Sequence, residues 1–115
     1  MLKNVPVLLQ GYKMRVVEDP VVKTFTKDGK TEVATNQETG DPMYSVSIYM
    51  KPLPTEDGRR PAKGTEMKVT IERKPDDEIV DGAVVELHNP RISQFALDNG
   101  QTILSMRAAG LKLAG

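Results

Sequence analysis

The chain has 115 residues, with 16 basic and 16 acidic side chains, one histidine, no cysteine, no tryptophan and 38% hydrophobic content. This length suits one small domain and excludes two packed globular ones; it buries about two-thirds of its unfolded surface, enough for one core without an enclosed cofactor cavity. The lack of cysteine excludes disulfides, thiolate nucleophiles and thiolate-held metal centres, and a net charge of zero argues against nucleic-acid binding by bulk electrostatics alone.

Residues 1–10 are apolar but short, and their Val7-Leu8-Leu9 run is far below the roughly 20 residues that span a bilayer. They read as a tail, an edge strand or a dimer contact ahead of a single barrel domain over residues 11–115. No membrane partner is expected. With no apolar core of signal-peptide length after Met1-Leu2-Lys3-Asn4, the expected location is the cytoplasm.

Tyr12 to Val17, continuing past Pro20 to Phe25, reads as a long first strand, and Pro20, which cannot donate to a ladder, marks a bulge, bend or edge. Thr26 to Pro42 is polar, carries two glycines and reads as either a β-ribbon or a mobile loop. From Met43 to Lys51, Tyr44, Val46, Ile48 and Met50 alternate with Ser45, Ser47, Tyr49 and Lys51, the signature of a half-buried strand. Pro52 to Thr65 is a second excursion, rich in proline, glycine and charge. Glu66 to Glu72 then repeats the alternation with Met67, Val69 and Ile71 inward. Pro75 to Val80 has room for one helical turn. Ala83 to His88 and Thr102 to Ala109 are further strands, joined by a hairpin over Arg91 to Gly100, and the last strand runs on toward Leu113.

Turn pairs fall between the apolar runs at Asp28-Gly29, Thr39-Gly40, Asp57-Gly58, Asp81-Gly82 and Asn99-Gly100. No window shows the i, i+3, i+4, i+7 apolar spacing of a long helix. The predicted class is all-β, a sandwich or barrel with long loops and little or no helix.

The strand order, with Gly82-Ala83-Val84-Val85-Glu86-Leu87 and the later Thr102 to Ala108 strand, resembles the oligonucleotide/oligosaccharide-binding (OB) fold, a five-stranded Greek-key barrel. That stretch looks like the fourth and fifth strands of bacterial single-stranded-DNA-binding proteins. From Gly11 onward the chain is similar to small proteins of actinobacterial integrative plasmids and phages. The resemblance rests on Val17-Glu18-Asp19-Pro20, Lys27-Asp28-Gly29, Thr39-Gly40-Asp41-Pro42-Met43-Tyr44 and Arg107-Ala108. It implies a mobile-element protein acting in replication, transfer or their regulation. The helix that caps such barrels between the third and fourth strands has no room between Lys74 and Gly82, leaving the N-terminal segment to close the barrel bottom.

Single strands are held by cations that track phosphates and by aromatic faces, each stacked base contributing about 1–3 kcal/mol. The chain has three tyrosines and two phenylalanines. Tyr49 is out of phase with its apolar neighbours and projects outward beside Lys51, as either an inert surface tyrosine or a stacking face. Tyr44 belongs to the core. Phe95, in the last hairpin, is either that hairpin's apolar anchor or a ligand contact.

Charge is segregated along the chain: Arg59, Arg60, Lys63, Lys68, Arg73 and Lys74 precede Pro75, whereas Asp76, Asp77, Glu78, Asp81 and Glu86 follow it. These runs are either solvated loops or one positive and one negative face. Lys13 and Arg15 of the first strand, with Arg91 and Arg107 of the last hairpin, complete a cationic surface if they share a face with Tyr49 and Lys51.

The candidate nucleic-acid-binding residues are therefore Lys13, Arg15, Tyr49, Lys51, Arg59, Arg60, Lys68, Arg91, Phe95 and Arg107. The expected partner is single-stranded DNA or RNA, since a stacking platform reads base faces that the two share. No metal or cofactor is expected, and no catalytic role: His88 reads as a turn residue, and Asp76-Asp77-Glu78 as a solvated run. The methionines read as core filler in a chain poor in aromatics. The rival expectation is a protein–protein adaptor or structural oligomer, assembled through edge strands or the N-terminal segment.

Overall fold

The computed structural model describes residues 2–54 and 63–114. The expected Asp57-Gly58 turn and the central part of the second excursion lie outside the described residues. Period-two alternation becomes strand throughout: β1 (Val5–Pro6), β2 (Tyr12–Val22), β3 (Thr24–Lys27), β4 (Lys30–Val33), β5 (Tyr44–Pro52), β6 (Thr65–Ile71), β7 (Val84–His88), β8 (Arg91–Ala96), β9 (Thr102–Ala108) and β10 (Gly110–Leu113). Eight of these form one curled sheet in the order β1-β8-β9-β6-β5-β2-β7-β10, and β3 and β4 form a separate ribbon. The molecule is all-β and barrel-like.

The strands are more finely divided than the sequence predicts, and local chemistry explains the divisions at Asp28-Gly29 and Asn89-Pro90. The first excursion is an ordered ribbon. Its Asp28-Gly29 turn has positive φ at both residues, 52° and 75°, the type I′ geometry that suits the twist of a two-residue hairpin. At Asn89-Pro90 the chain turns a corner, with Asn89 at φ 50°. Yet His88↔Gly110 and Arg91↔Arg107 keep one constant register, so β7–β8 and β9–β10 form a single long, bent hairpin. The sheet curls through this bend: β9 pairs in parallel with β6, while β10, one residue further on, pairs with β7, which in turn pairs with β2.

Strand β2 carries the bend expected at Pro20. Its register against β5 slips between Val16 and Glu18 and again between Glu18 and Val21, and each such bulge increases local twist. The Asp81-Gly82 turn grips this region. Gly82 N–H donates to Val16 O at 2.7 Å, Val16 N–H donates to Ala83 O at 2.9 Å, and Asp81 N–H donates to an Asp19 carboxylate oxygen at 2.7 Å.

The inner faces close on one core, in which Val16, Val46, Ile48, Val69, Ile71 and Val85 are fully buried. Met14, Met50 and Met106 fill volume among them, Ala108 and Leu111 complete the packing, and Tyr44 lies half-buried against the cluster. Each buried aliphatic side chain contributes about 1.5–3 kcal/mol.

One expectation is revised. The helical turn over Pro75 to Val80 does not form. The segment is held instead by Ile79, buried in the core, and by Asp77 Oδ2, which accepts the Leu113 N–H at 3.1 Å. The N-terminal segment is both edge strand and packed tail: Val5 pairs with Ile92, Val7 N–H donates to Pro90 O at 3.1 Å, and Leu9 packs on the core. Among the described residues no helix is long and apolar enough to cross a membrane.

Gly82 sits at φ +93° with no atom near a would-be Cβ, so a side chain there meets backbone strain rather than a clash. Gly82→Ala is expected to lower stability by about 1–2 kcal/mol in denaturant unfolding. Gly11→Ala, in equally open space and without a positive φ, is expected to leave stability unchanged or raise it by up to about 1 kcal/mol.

Candidate nucleic-acid interface

Side chains alternate across a sheet, so the face opposite the core is read from register. On β2 and β5, Lys13 lies opposite Lys51 and Arg15 opposite Tyr49. On β5 and β6, Tyr49 lies opposite Glu66, Ser47 opposite Lys68, and Ser45 opposite Thr70. Thr70 lies opposite Arg107 of β9, which lies opposite Arg91 of β8. Continuing along the hairpin on the same parity come Ser93 with Ser105 and Phe95 with Ile103. Lys13, Arg15, Tyr49, Lys51, Lys68, Arg91, Phe95 and Arg107 thus share the outer side of one continuous sheet. Arg59 and Arg60 lie outside the described residues.

These cations are not equivalent. Glu72, just past β6, ion-pairs with both arginines: Arg91 Nη2 donates to Glu72 Oε1, and Arg107 Nε lies 3.0 Å from Oε2. The buried Arg107 Nε is near enough for charge attraction but misaligned for a hydrogen bond. Its Nη2 donates at 3.0 Å to the Met43 sulfur, a weak acceptor. By contrast, among the described residues no carboxylate lies within ion-pair distance of Lys13, Arg15, Lys51 or Lys68. Lys13 and Lys51 face each other as like charges, an arrangement that costs stability in an isolated sheet.

A further cation, Lys23, joins this face although it is absent from the sequence-derived set. It links β2 to the ribbon, its N–H donating to Met43 O at 2.8 Å and its carbonyl accepting the Ala34 N–H at 2.9 Å. Its ammonium donates to Thr70 Oγ1 at 2.9 Å. Burial, then the neighbouring Arg107 and Lys68 charges, hold its pKa below the ordinary lysine value. The folded chain therefore binds this proton less tightly than the unfolded chain. That penalises folding at neutral pH and lifts as pH rises toward the unfolded value. Parity counted from Lys13 along an unbroken strand reaches Lys23; Pro20 hides that signal by interrupting the pattern.

The two expected aromatic contacts differ in setting. Tyr49 is 39% exposed, but a Cβ built on Gly64 would overlap its ring. The glycine therefore lets backbone lie directly against one part of the tyrosine. Phe95 is 43% exposed beside Ile103 and Leu97, on a hairpin arm that carries it beyond the core.

The acidic run lies toward the other end of the sheet. Asp77 contacts β10, Asp81 abuts the β2 bulge, and Glu86 pairs with Lys112 at 3.5 Å. Among the described residues no three His, Cys, Asp or Glu side chains cluster to hold a metal. His88 lies at the bend, where its carbonyl accepts the Ala109 N–H at 2.8 Å.

Gly64→Ala is expected to swing the Tyr49 ring outward while the fold persists, because the obstructed atoms are the far end of a side chain. The measurement is the Tyr49 aromatic proton shifts together with the unfolding midpoint; unchanged ring shifts would refute the close approach.

No protein-family model matches the chain, and no curated protein matches it in sequence; what this face does is to be argued from its own residues and geometry.

Proposed function

We propose that the chain is a non-enzymatic module that binds single-stranded DNA or RNA with little sequence preference, on a five-stranded Greek-key barrel of OB type. The pairings support this reading of the fold when each bent pair is counted as one strand. β2, β5 and β6 then form a meander, β9–β10 lies parallel to β6, and β7–β8 pairs with both β9–β10 and β2. The ribbon and the β8–β9 hairpin would flank the outer face of β5 and β6, where such barrels receive oligonucleotides. The resemblance to plasmid and phage proteins points to replication, transfer or their regulation as the setting.

One observation carries the functional reading: cations with no carboxylate in ion-pair distance among the described residues, and an exposed tyrosine, occupy the outer side of adjacent strands in register, with Phe95 on the projecting hairpin. A polyanion satisfies both the like-charged Lys13–Lys51 pair and the exposed rings. Titration of a fluorescent oligonucleotide at low and moderate salt tests it. Binding is expected at low salt and should weaken as salt rises. Tyr49→Ala alone should cost about 1–3 kcal/mol, or roughly 5- to 150-fold in affinity, with a further loss when Lys51→Ala is added. Absence of binding at low salt, or binding indifferent to the double substitution, rejects the reading.

A second reading, an oligomer-forming adaptor, is favoured by one separate observation. An open cleft of about 620 Å³ is lined by Val7, Leu8, Leu9, Leu53 and Leu87, and Leu8 is 84% exposed. Light scattering at high salt, with and without residues 1–10, tests it. Assembly that persists in salt and is lost on truncation would favour the adaptor, whereas a monomer in both forms excludes it.

A further inference from the structure

The parallel pairing of β6 with β9 covers only Val69↔Met106, Thr70↔Arg107 and Ile71↔Ala108. Toward the start of β6 the two strands separate, leaving an open cleft of about 440 Å³ whose polar lining is Lys23, Ser45, Glu66, Lys68, Thr70 and Ser105. Lys23 enters from the end of β2, and its Nζ bonds Thr70 Oγ1, the residue directly opposite Arg107. Lys68 stands two residues before Thr70 on the same face. Two lysines, three hydroxyl groups and one carboxylate therefore converge where the sheet opens, with the Arg107 charge bordering them.

The charge count at this point is unbalanced. Lys23 and Lys68 have no carboxylate within ion-pair distance among the described residues, and Glu72 divides its two oxygens between Arg107 and Arg91. A half-buried ammonium beside two other cations is costly unless an anion offsets it. Lys23 is nevertheless held in place, because its backbone N–H donates to Met43 O, just before β5, and its carbonyl accepts the N–H of Ala34, just after β4. The donors stand preorganised at one spot. Two ammonium groups and three hydroxyls against the one carboxylate of Glu66 suit a tetrahedral oxyanion, as both donor types serve phosphate contacts.

We propose that Lys23, Lys68, Arg107 and Thr70 form a subsite for one phosphate group, seating a phosphodiester of the single strand as it passes between Tyr49 and Phe95. This assignment of the source rests on the single-strand reading above, whereas the phosphate chemistry of the cleft does not. The subsite fixes the strand's path: bases stack on either side of a backbone anchored at the mouth of the β6–β9 cleft. It also gives a role to Lys23, which contributes nothing to the core.

The test compares wild type with Lys23→Met, which keeps the aliphatic stem, Lys23→Arg, which keeps the charge, and Lys112→Met, which removes a cation paired with Glu86 on another part of the sheet. An oligothymidylate is titrated across a salt series, and inorganic pyrophosphate is titrated separately by amide shifts at Thr70 and by the unfolding midpoint. Lys23→Met is expected to lower oligonucleotide affinity several-fold at low salt and to reduce the salt slope by about 0.7, the value of one single-strand phosphate contact. Lys23→Arg and Lys112→Met should retain the slope. Pyrophosphate should raise the wild-type midpoint through linkage and leave that of Lys23→Met unmoved.

Oligonucleotide binding with affinity and slope unchanged in Lys23→Met overturns the subsite and leaves the single-strand reading standing. Pyrophosphate binding that depends on Lys23, without oligonucleotide binding by wild type, upholds the phosphate site but assigns it to a free phosphate ligand and removes the single-strand reading. Silence toward both probes overturns both.

Discussion

The bend in β2 is the constraint on which the barrel depends. A straight strand of that length would hold β5 and β7 in one flat sheet, with its apolar side open to water. Two register slips around Glu18, with Pro20 beside them, give the strand added twist, and the Asp81-Gly82 turn fastens the next segment onto the bend. The inner faces of β2, β5, β6 and β7 then meet, and Val16, Ile48, Val69 and Val85 lose contact with water together. Hydrophobic burial supplies the driving force, but backbone hydrogen bonds at the bulge decide the shape in which it is collected.

That curvature also sorts the charges. A net charge of zero describes the whole chain and says little about any one surface, because a field is set by local arrangement. The lysines and arginines of β2, β5, β6 and β9 share the outer face, while the acids after Pro75 follow a path past the β2 bulge and along β10. Glu66, opposite Tyr49, and Glu72 are acids that lie among these cations. By pairing with Arg91 and Arg107, Glu72 ties the hairpin base to the end of β6, and among the described residues no carboxylate lies within ion-pair distance of the more central lysines. Neutrality and a positive face are therefore compatible in one small domain.

Much of the strand pattern was legible from residue order alone. Val46, Ile48 and Met50 alternate with Ser47, Tyr49 and Lys51, and a two-residue period admits only one assignment of sides. The outward placement of Tyr49 followed from this, as did the role of methionine in the core and the turns at Gly29, Gly82 and Gly100, each with a positive φ. Other features depended on contacts between distant segments. The turn expected over Pro75 to Val80 gave way to burial of Ile79 and the Asp77 bond to Leu113, a tertiary preference that local propensity does not contain. For the first excursion the ribbon was one of two readings, and bonds to Lys23 and Glu72, which lie outside it, accompany the ribbon.

Alternation, turn chemistry and composition were enough to establish an all-β chain, its principal strands and the side of each strand that meets the core. They are properties of neighbours in sequence, and a period of two repeats within a few residues. The convergence of Lys23, Lys68 and Thr70 on one cleft, the covering of Tyr49 by Gly64 and the capture of both arginines by Glu72 were decided by folding alone. Each joins residues well separated along the chain, and only cross-strand register, set when the bent sheet closes on its core, determines which of them meet.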